Sequence, residues 1–542
     1  MGCGSSSDDP EPASDPVRET AQGSVRGMDE GTMLAFRGIP YAQPPVADLR
    51  FAPTEPWTDV RADTLECKSF GSVCPQMAGG LLVGAEDCLT LNIFTPKDAG
   101  ANTADYPVMV WIHGGAYIQG SGSSDAYDLP DLVEMGVIVV TFNYRLGALG
   151  FLPHPALTAE QGQSGNYGLM DQQEALRWVQ SNIAQFGGDV NNITIFGESA
   201  GGHSVMTHLA APESGNLFHK AIVQSGSYSP FQLPLDTGYI YYGAPFAATA
   251  DCTGSSAEIA ACFRDLSVDG VIAAQGDAWY VPVTGGDFLP ASIYVSLATG
   301  AFHTDKPVLI GGNRNEGTLF TALDFVGAPP EYYDDYGAYL PAVAGLLGQS
   351  GITDESDIMK IANDYLAVAE AELGQLPNGD PHPNRFRLAH SKVWTDHFFA
   401  CRNMMQWEQL ADHTPTYAYW FTDTNAPIPP SYAPLSAFEE DMGMITFGAS
   451  HAFEIQYVFG RVQEQAVVSG EQIALSLEMI EFWTNFAKTG APSNAPGVWD
   501  AYAGTVGPVI RLDTPGAAAV DVSVFNNAHR CAYWADPVNA TP

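Results

Sequence analysis

The chain has 542 residues, 46% apolar and 11% aromatic, and carries 62 Asp+Glu against 22 Lys+Arg for a formal charge of −40. A surface of that sign repels phosphate backbones, which bind proteins through Lys and Arg, so nucleic acid is not an expected partner. No uninterrupted apolar run approaches the roughly 20 residues that cross a bilayer, and the excess of acid reads as a solubilising surface.

Met1 to Asp15 read MGCGSSSDDPEPASD, with too few apolar groups to fold. Residues 1–20 are therefore expected to form a disordered tether. Gly2-Cys3-Gly4-Ser5-Ser6 is similar to the start of a mature bacterial lipoprotein, with Cys3 as the lipid-bearing residue and hence a membrane tether. From residue 21 to 542 no second linker, repeat or charge block appears, so one large catalytic domain is expected.

Residues 108–112 (VMVWI) and 137–142 (VIVVTF) are short β-branched apolar runs, the pattern of strands buried on both faces of a sheet. The loops HGGAYIQGSGS and NYRLGALG follow them. Over residues 170–186, Ala175, Leu176, Val179, Ile183 and Phe186 fall at helical spacing, and Gly187-Gly188 supplies a stop, which predicts an amphipathic helix. Further strands are predicted at 193–196, 221–224, 307–311 and 416–421, and a late helix at 471–488. Strands alternating with helices imply an α/β fold with a mostly parallel sheet covered on both faces.

Gly197-Glu198-Ser199-Ala200-Gly201 is a G-x-S-x-G match. Alone it is weak, since a glycine-rich chain of this length yields roughly a few tenths of a match by chance. Its position between a predicted strand and a helix is the strand, tight turn and helix that present a nucleophilic serine. A serine hydroxyl needs a base, and the base needs an orienting acid.

The chain resembles the type-B carboxylesterase and cholinesterase family of α/β-hydrolases over nearly its whole length after the tether. The segments that carry the resemblance are FRGIPYAQPP (36–45), EDCLTLNIFTP (86–96), WIHGGAY, NYRLGALGF, GNYGLMDQQEALRWVQSNIAQFGGD, FGESAGG, VQSGS, NRNEGT, SHAFEIQYVFG and FWTNFAKTGAP. It implies a serine esterase with large loop and helical insertions around an active-site gorge, needing no metal and no cofactor. Its implied triad is Ser199, Glu316 and His451, in the chain order of α/β-hydrolases. Its implied oxyanion hole is the backbone of Gly115, Ala116 and Ala200, where Ala116 replaces a glycine of many relatives and still offers its N–H. Glu198, beside the serine, is expected to tune the electrostatics of the site, and Ser225 to hydrogen-bond within the triad. Arg50–Glu86 and Arg145–Asp171 are implied structural ion pairs.

The resemblance also implies disulfides Cys74–Cys88, Cys252–Cys262 and Cys401–Cys531, which leaves Cys67 without a partner and points to an extracytoplasmic setting, secreted or at the cell surface. It implies neutral esters of short to medium acyl chain, and admits tertiary alcohols through the Gly114-Gly115-Ala116-Tyr117 loop. Residues 231–246 are expected to line the acyl and alcohol pockets. The segment closed by Cys74 and Cys88 has no aromatic residue, where choline esterases place a tryptophan, so choline esters are not expected as preferred substrates unless Tyr241 or Tyr242 compensates. Other readings are a non-catalytic adhesion homologue and an amidase or peptidase on the same fold.

Overall fold

The computed structural model describes residues 15–100, 106–127, 129–229, 232–327, 335–436, 447–504 and 507–535. Among the described residues the main sheet has eleven strands: β1 Met28–Asp29, β2 Met33–Pro40, β3 Thr90–Pro96, β4 Tyr106–Ile112, β5 Ile138–Phe142, β6 Gly188–Glu198, β7 Lys220–Gln224, β8 Val308–Asn313, β9 Thr416–Phe421, β10 Pro508–Leu512 and β11 Ala518–Asp521. Their spatial order is β11-β10-β9-β8-β7-β6-β4-β5-β3-β2-β1. From β5 to β10 every ladder is parallel, with Val110 opposite both Val140 and Ile195. The margins are antiparallel. This is the α/β-hydrolase architecture, with the expected parallel centre and a mixed periphery.

The helices that matter for the site are α1 Tyr167–Asn182, α2 Ala200–Ala210, α3 Val268–Gln275, α4 Glu316–Gly327, α5 Arg385–Val393, α6 Cys401–Ala411 and α7 Gly470–Thr489. Side chains alternate across a strand, so Val108, Val110 and Ile112 join one core with Leu176 of α1 and Val205 of α2. Met109 and Trp111 face the opposite core with Val393 of α5 and Met479 and Trp483 of α7. Fully burying one such aliphatic side chain stabilises by about 1.5–3 kcal/mol. α7 starts on a capping box of Ser469 and Gln472 and ends at Gly490 with φ 81°, so its ends are written in local sequence.

Three expectations are corrected. Residues 17–20, placed in the tether, form a strand paired with Gly23–Arg26, and the Arg18 guanidinium donates to Ala99 O at 3.0 Å. The helix over 167–182 is buried on its polar side as well as its apolar side. Asp171 there receives two bonds from Arg145 at 2.8 Å, and Gln172 and Gln173 donate to Ser204 and Ser214 at 3.0 Å, so hydrogen bonding replaces solvent. Residues 232–249 do not form a loop: after a two-residue strand they run as consecutive helical segments.

Cys74–Cys88, Cys252–Cys262 and Cys401–Cys531 are disulfides. Cys67 is free and buried, and burial pushes its thiol up to about 12, which makes it a poor nucleophile. Cys3 lies outside the described residues. No described helix is long and apolar enough to cross a membrane. Arg50 and Glu86 form a two-bond pair at 2.6 Å, which with the Arg145–Asp171 pair ties loops beneath the site.

Candidate active site

The site lies at the carboxyl ends of the central parallel strands, where α/β sheets open a crevice. β6 delivers Ser199 into a one-residue turn before α2, and the serine takes φ 56° and ψ −122°. That conformation costs of order 1–3 kcal/mol and persists because its surroundings fix it. Ser199 N donates to Gln224 O at 2.9 Å, and His203 N donates to Ser199 O at 2.8 Å. A Cβ on Gly201 would stand 1.9 Å from Ile112 O, and one on Gly197 2.6 Å from the same atom. The elbow's glycines thus follow from the backbone of β4 passing beside it.

β8 ends at Asn313, and Glu316 opens α4 with 1% exposure. Its Oε1 accepts from Asn313 N at 2.7 Å and from Ser225 Oγ at 2.6 Å, and its Oε2 accepts from His451 Nδ1 at 2.6 Å. Ser225, itself at φ 49° after β7, thus reaches the Glu316 carboxylate. The segment carrying His451 is tied to the β8–α4 turn: Asn315 N donates to Ala449 O at 2.8 Å and Asn313 Nδ2 to Ser450 O at 2.7 Å. Phe320 and Phe399 flank the imidazole, each with its ring centre 4.9 Å away.

With Nδ1–H committed to Glu316, the other nitrogen carries the lone pair of the neutral imidazole. His451 Nε2 has no hydrogen-bond partner among the described residues, although Glu198 Oε1 lies 3.1 Å away out of alignment. Burial opposes the charged imidazolium, but Glu198, Glu316 and Glu454 together outweigh it and raise its pKa to about 9. Burial also holds Glu198 well above the usual carboxylate range, against the pull of His451 and with Glu454 and Glu316 adding to it. A protonated Glu198 carries no charge to pull on the ring. The bond to Glu316 is the pull on the imidazolium that does not depend on the state of Glu198.

The N–H groups of Gly115 and Ala116 have no acceptor among the described residues, and Ala200 is the first residue of α2, whose opening N–H groups lack intrahelical acceptors. The loop is held in a left-handed conformation at three successive residues, Gly115 (φ 108°), Ala116 (φ 56°) and Tyr117 (φ 60°). A Cβ on Gly114 would lie 2.9 Å from Glu198 Oε2 and 3.2 Å from Ser199 Cβ, so glycine there keeps the loop against the serine.

Comparisons with known proteins place this chain in a family. The sequence model of the carboxylesterase family matches residues 14–534. The chain belongs to the carboxylesterase family. It is a carboxylic ester hydrolase by that membership. It is 32% identical to the para-nitrobenzyl esterase of Bacillus subtilis, covering 89% of this chain and 92% of that one. It is 33% identical to the human bile salt-activated lipase, covering 89% of this chain but spanning 64% of that protein's length. It is 30% identical to the acetylcholinesterase of Bungarus fasciatus, covering 95% of this chain and 85% of that one. A solved para-nitrobenzyl (PNB) esterase structure aligns with TM-score 0.74 and 29% identity over 95% of this chain and 99% of its own.

Beside the elbow of this carboxylesterase opens a cavity of 670 Å³, lined in part by Gly115, Glu198 and Ala452. The disulfide-closed segment contributes the hairpin residues Gln76, Met77 and Ala78 to it, with no aromatic ring. Tyr241 and Tyr242, the rings that sequence offered as substitutes, are not among its lining residues, whereas Tyr127 and Tyr432 are. Tyr241 is exposed, and Tyr242 packs on Tyr280. Residues 232–246 likewise do not line the cavity, and Phe231 lies outside the described residues.

Sequence reasoning missed Glu454, which accepts from Gln224 Nε2 at 3.0 Å and Asn313 Nδ2 at 2.6 Å and completes a buried group of three carboxylates around one imidazole. Its place three residues after His451 in a matched segment was the available signal. Trp279, whose indole N–H donates to Ala116 O at 2.8 Å, gave none, because it reaches the loop from 163 residues away.

Proposed function

We propose that this esterase cleaves neutral carboxylic esters of short to medium acyl chain through an acyl-enzyme on Ser199. His451 takes the serine proton at Nε2 as Oγ attacks the ester carbonyl. The tetrahedral oxyanion sits against the N–H groups of Gly115, Ala116 and Ala200, where fixed donors in a dry site are worth most. Glu316 orients the ring through Nδ1 and stabilises the imidazolium. Collapse expels the alkoxide, which leaves with the proton from Nε2, and a water then repeats both steps on the acyl-enzyme.

The single observation that carries the reading is the 2.6 Å bond from His451 Nδ1 to Glu316 Oε2 beside a strained serine and uncommitted N–H donors. The cavity of 670 Å³ would take the leaving alcohol, tertiary alcohols included. The same reading makes residues from the first strand onward a single catalytic domain and, on the three disulfides, places it in an oxidising, extracytoplasmic setting. A fluorophosphonate should label Ser199 and abolish cleavage of p-nitrophenyl butyrate, and Ser199→Ala should do neither. Label on another serine, or retained turnover in Ser199→Ala, defeats the proposal. An activated anilide of the same acyl group, cleaved as fast as the ester, would transfer the reading to an amidase.

A further inference from the structure

We infer that Trp279 is a positioning residue for the oxyanion loop, holding the peptide that follows Ala116 through its indole N–H; the inference rests on the function proposed above. The loop's carbonyls are satisfied one by one. His113 O accepts from Tyr144 OH at 2.8 Å, and Gly114 O from His113 Nδ1 at 2.8 Å. Gly115 O accepts from Ile118 N and Gln119 N at 3.0 Å, and Tyr117 O from Gly147 N at 2.7 Å. Between them, Ala116 O accepts from Trp279 Nε1 at 2.8 Å. Four of these five carbonyls are held from within the 113–147 stretch, and the fifth depends on a side chain brought in by the turn after α3.

That carbonyl is the sensitive one. Rotating the Ala116–Tyr117 peptide changes ψ of Ala116 and φ of Tyr117, and φ of Tyr117 is 60°, a region in which a non-glycine residue does not rest unaided. Rotation would relieve Tyr117 and let Ala116, itself at φ 56°, relax with it, and a change in φ of Ala116 re-aims its N–H, one of the proposed donors. The indole bond opposes it. Tyr117 is fixed from its other end as well, since its OH donates to His203 Nδ1 at 2.8 Å while His203 Nε2 donates to Ser229 O at 2.9 Å.

The indole is itself supported. Tyr228 stacks on Trp279 with ring centres 6.1 Å apart and planes at 19°, and on His203 at 5.2 Å and 28°. Its other neighbour is Phe399 at 5.6 Å, whose ring lies 4.9 Å from that of His451. One row of rings therefore runs from the general base to the oxyanion loop, and it fixes the two halves of the site relative to each other.

The test uses the full chain, p-nitrophenyl butyrate, and a pair of matched inhibitors: a trifluoromethyl ketone, which adds to the serine and places an oxyanion in the hole, and the methyl ketone of the same chain, which only fills the site. Trp279→Phe keeps the ring and removes the N–H. It should lower kcat by about tenfold, below the 10²–10³ of losing a donor outright, weaken the trifluoromethyl ketone by the same factor, and leave KM and the methyl ketone within twofold. Trp279→His, which returns a ring N–H, should recover part of the loss. Unchanged kcat and trifluoromethyl ketone affinity in Trp279→Phe, or equal weakening of both ketones, overturns the inference. Should that variant not fold, Tyr228→Leu leaves the donor and removes its support, and must show a smaller loss of the same kind; unchanged values there overturn it too. Ser199→Ala run alongside separates the two proposals, because its retained activity would defeat the serine mechanism whatever Trp279 does.

Discussion

Two buried histidine–carboxylate pairs can be set side by side in this molecule. His451 donates from Nδ1 to Glu316 at 2.6 Å, and His529 bonds Asp396 through Nδ1 at 2.9 Å. Both histidines are 3% exposed, and neither Nε2 has a hydrogen-bond partner among the described residues. What differs is the company. The first pair stands beside a strained serine, uncommitted backbone N–H groups and a cavity. The second stands among Trp420, Phe525 and the Cys401–Cys531 disulfide, and its Asp396 also accepts from Tyr365 OH at 2.8 Å. A histidine and an acid in contact are thus not a catalytic unit. In the function proposed above, the peptide groups and the serine around the first pair make one.

Paired substitutions break the comparison most directly. His451→Ala should lower kcat for p-nitrophenyl butyrate on the order of 10⁴- to 10⁶-fold, as triad members act together, and leave the thermal midpoint within a few degrees. His529→Ala should do the reverse. It strips Asp396 Oδ1 of its donor inside the core and should cost about 1–3 kcal/mol of stability, read by urea unfolding, with kcat within twofold. A large loss of kcat from the His529 variant would place that pair in the reaction.

The difference between the pairs was legible in sequence only through neighbours. Ser199 and the strand before it announced themselves through glycine spacing, and the resemblance located Glu316 and His451 from residues around them. The central strands were legible because both faces are apolar, so the signal is continuous over 108–112 and 416–421. Helix α1 was placed well but its environment was not, since Asp171, Gln172 and Gln173 look solvent-facing until Arg145, Ser204 and Ser214 arrive from elsewhere in the chain. The Trp279–Ala116 bond and the cavity walls depend on insertions whose packing has no period to read. Asp396 and His529, 133 residues apart, left no pattern at all.

Charge separates the pairs a second time. Burial opposes the charged form of His451, but Glu198, Glu316 and Glu454 outweigh it and raise its pKa, so the neutral ring that the proposed mechanism requires becomes abundant only above the ordinary value of about 6.5. The sign follows: a raised pKa keeps the base protonated to higher pH, and the acid limb of kcat/KM should have its midpoint between about 6.5 and 9. If Glu198 holds a proton in the working site, as burial directs, Glu198→Gln should move that midpoint by less than about one pH unit, the low end of what a neighbouring charge achieves. A downward move of two units or more would mean that a charged Glu198 drives the histidine.

The smallest expected effect concerns the cavity beside the His451–Glu316 pair, and it decides whether Glu198 there recognises cations. A quaternary ammonium gains about 2 kcal/mol or more over a desolvated aromatic face, tryptophan best. The walls here offer Tyr127 and Tyr432 but no tryptophan, and the hairpin from the first disulfide presents Gln76, Met77 and Ala78. Glu198 lines the same cavity, and burial pushes its carboxyl well above the usual range, which weakens it as an anionic partner for a cation. The formal −40 of the chain is screened beyond about 10 Å at 0.1 M salt and does not replace a ring. kcat/KM for butyrylthiocholine should therefore lie within tenfold of that for an uncharged butyryl thioester of similar size, measured in high salt. A preference of tenfold or more for the choline ester, about 1.4 kcal/mol in the transition state, would mean that the two tyrosines and an ionised Glu198 together form a cation site. Repeating the ratio in Glu198→Gln would then divide the effect, since a preference carried by charge falls with the carboxylate and one carried by the rings does not.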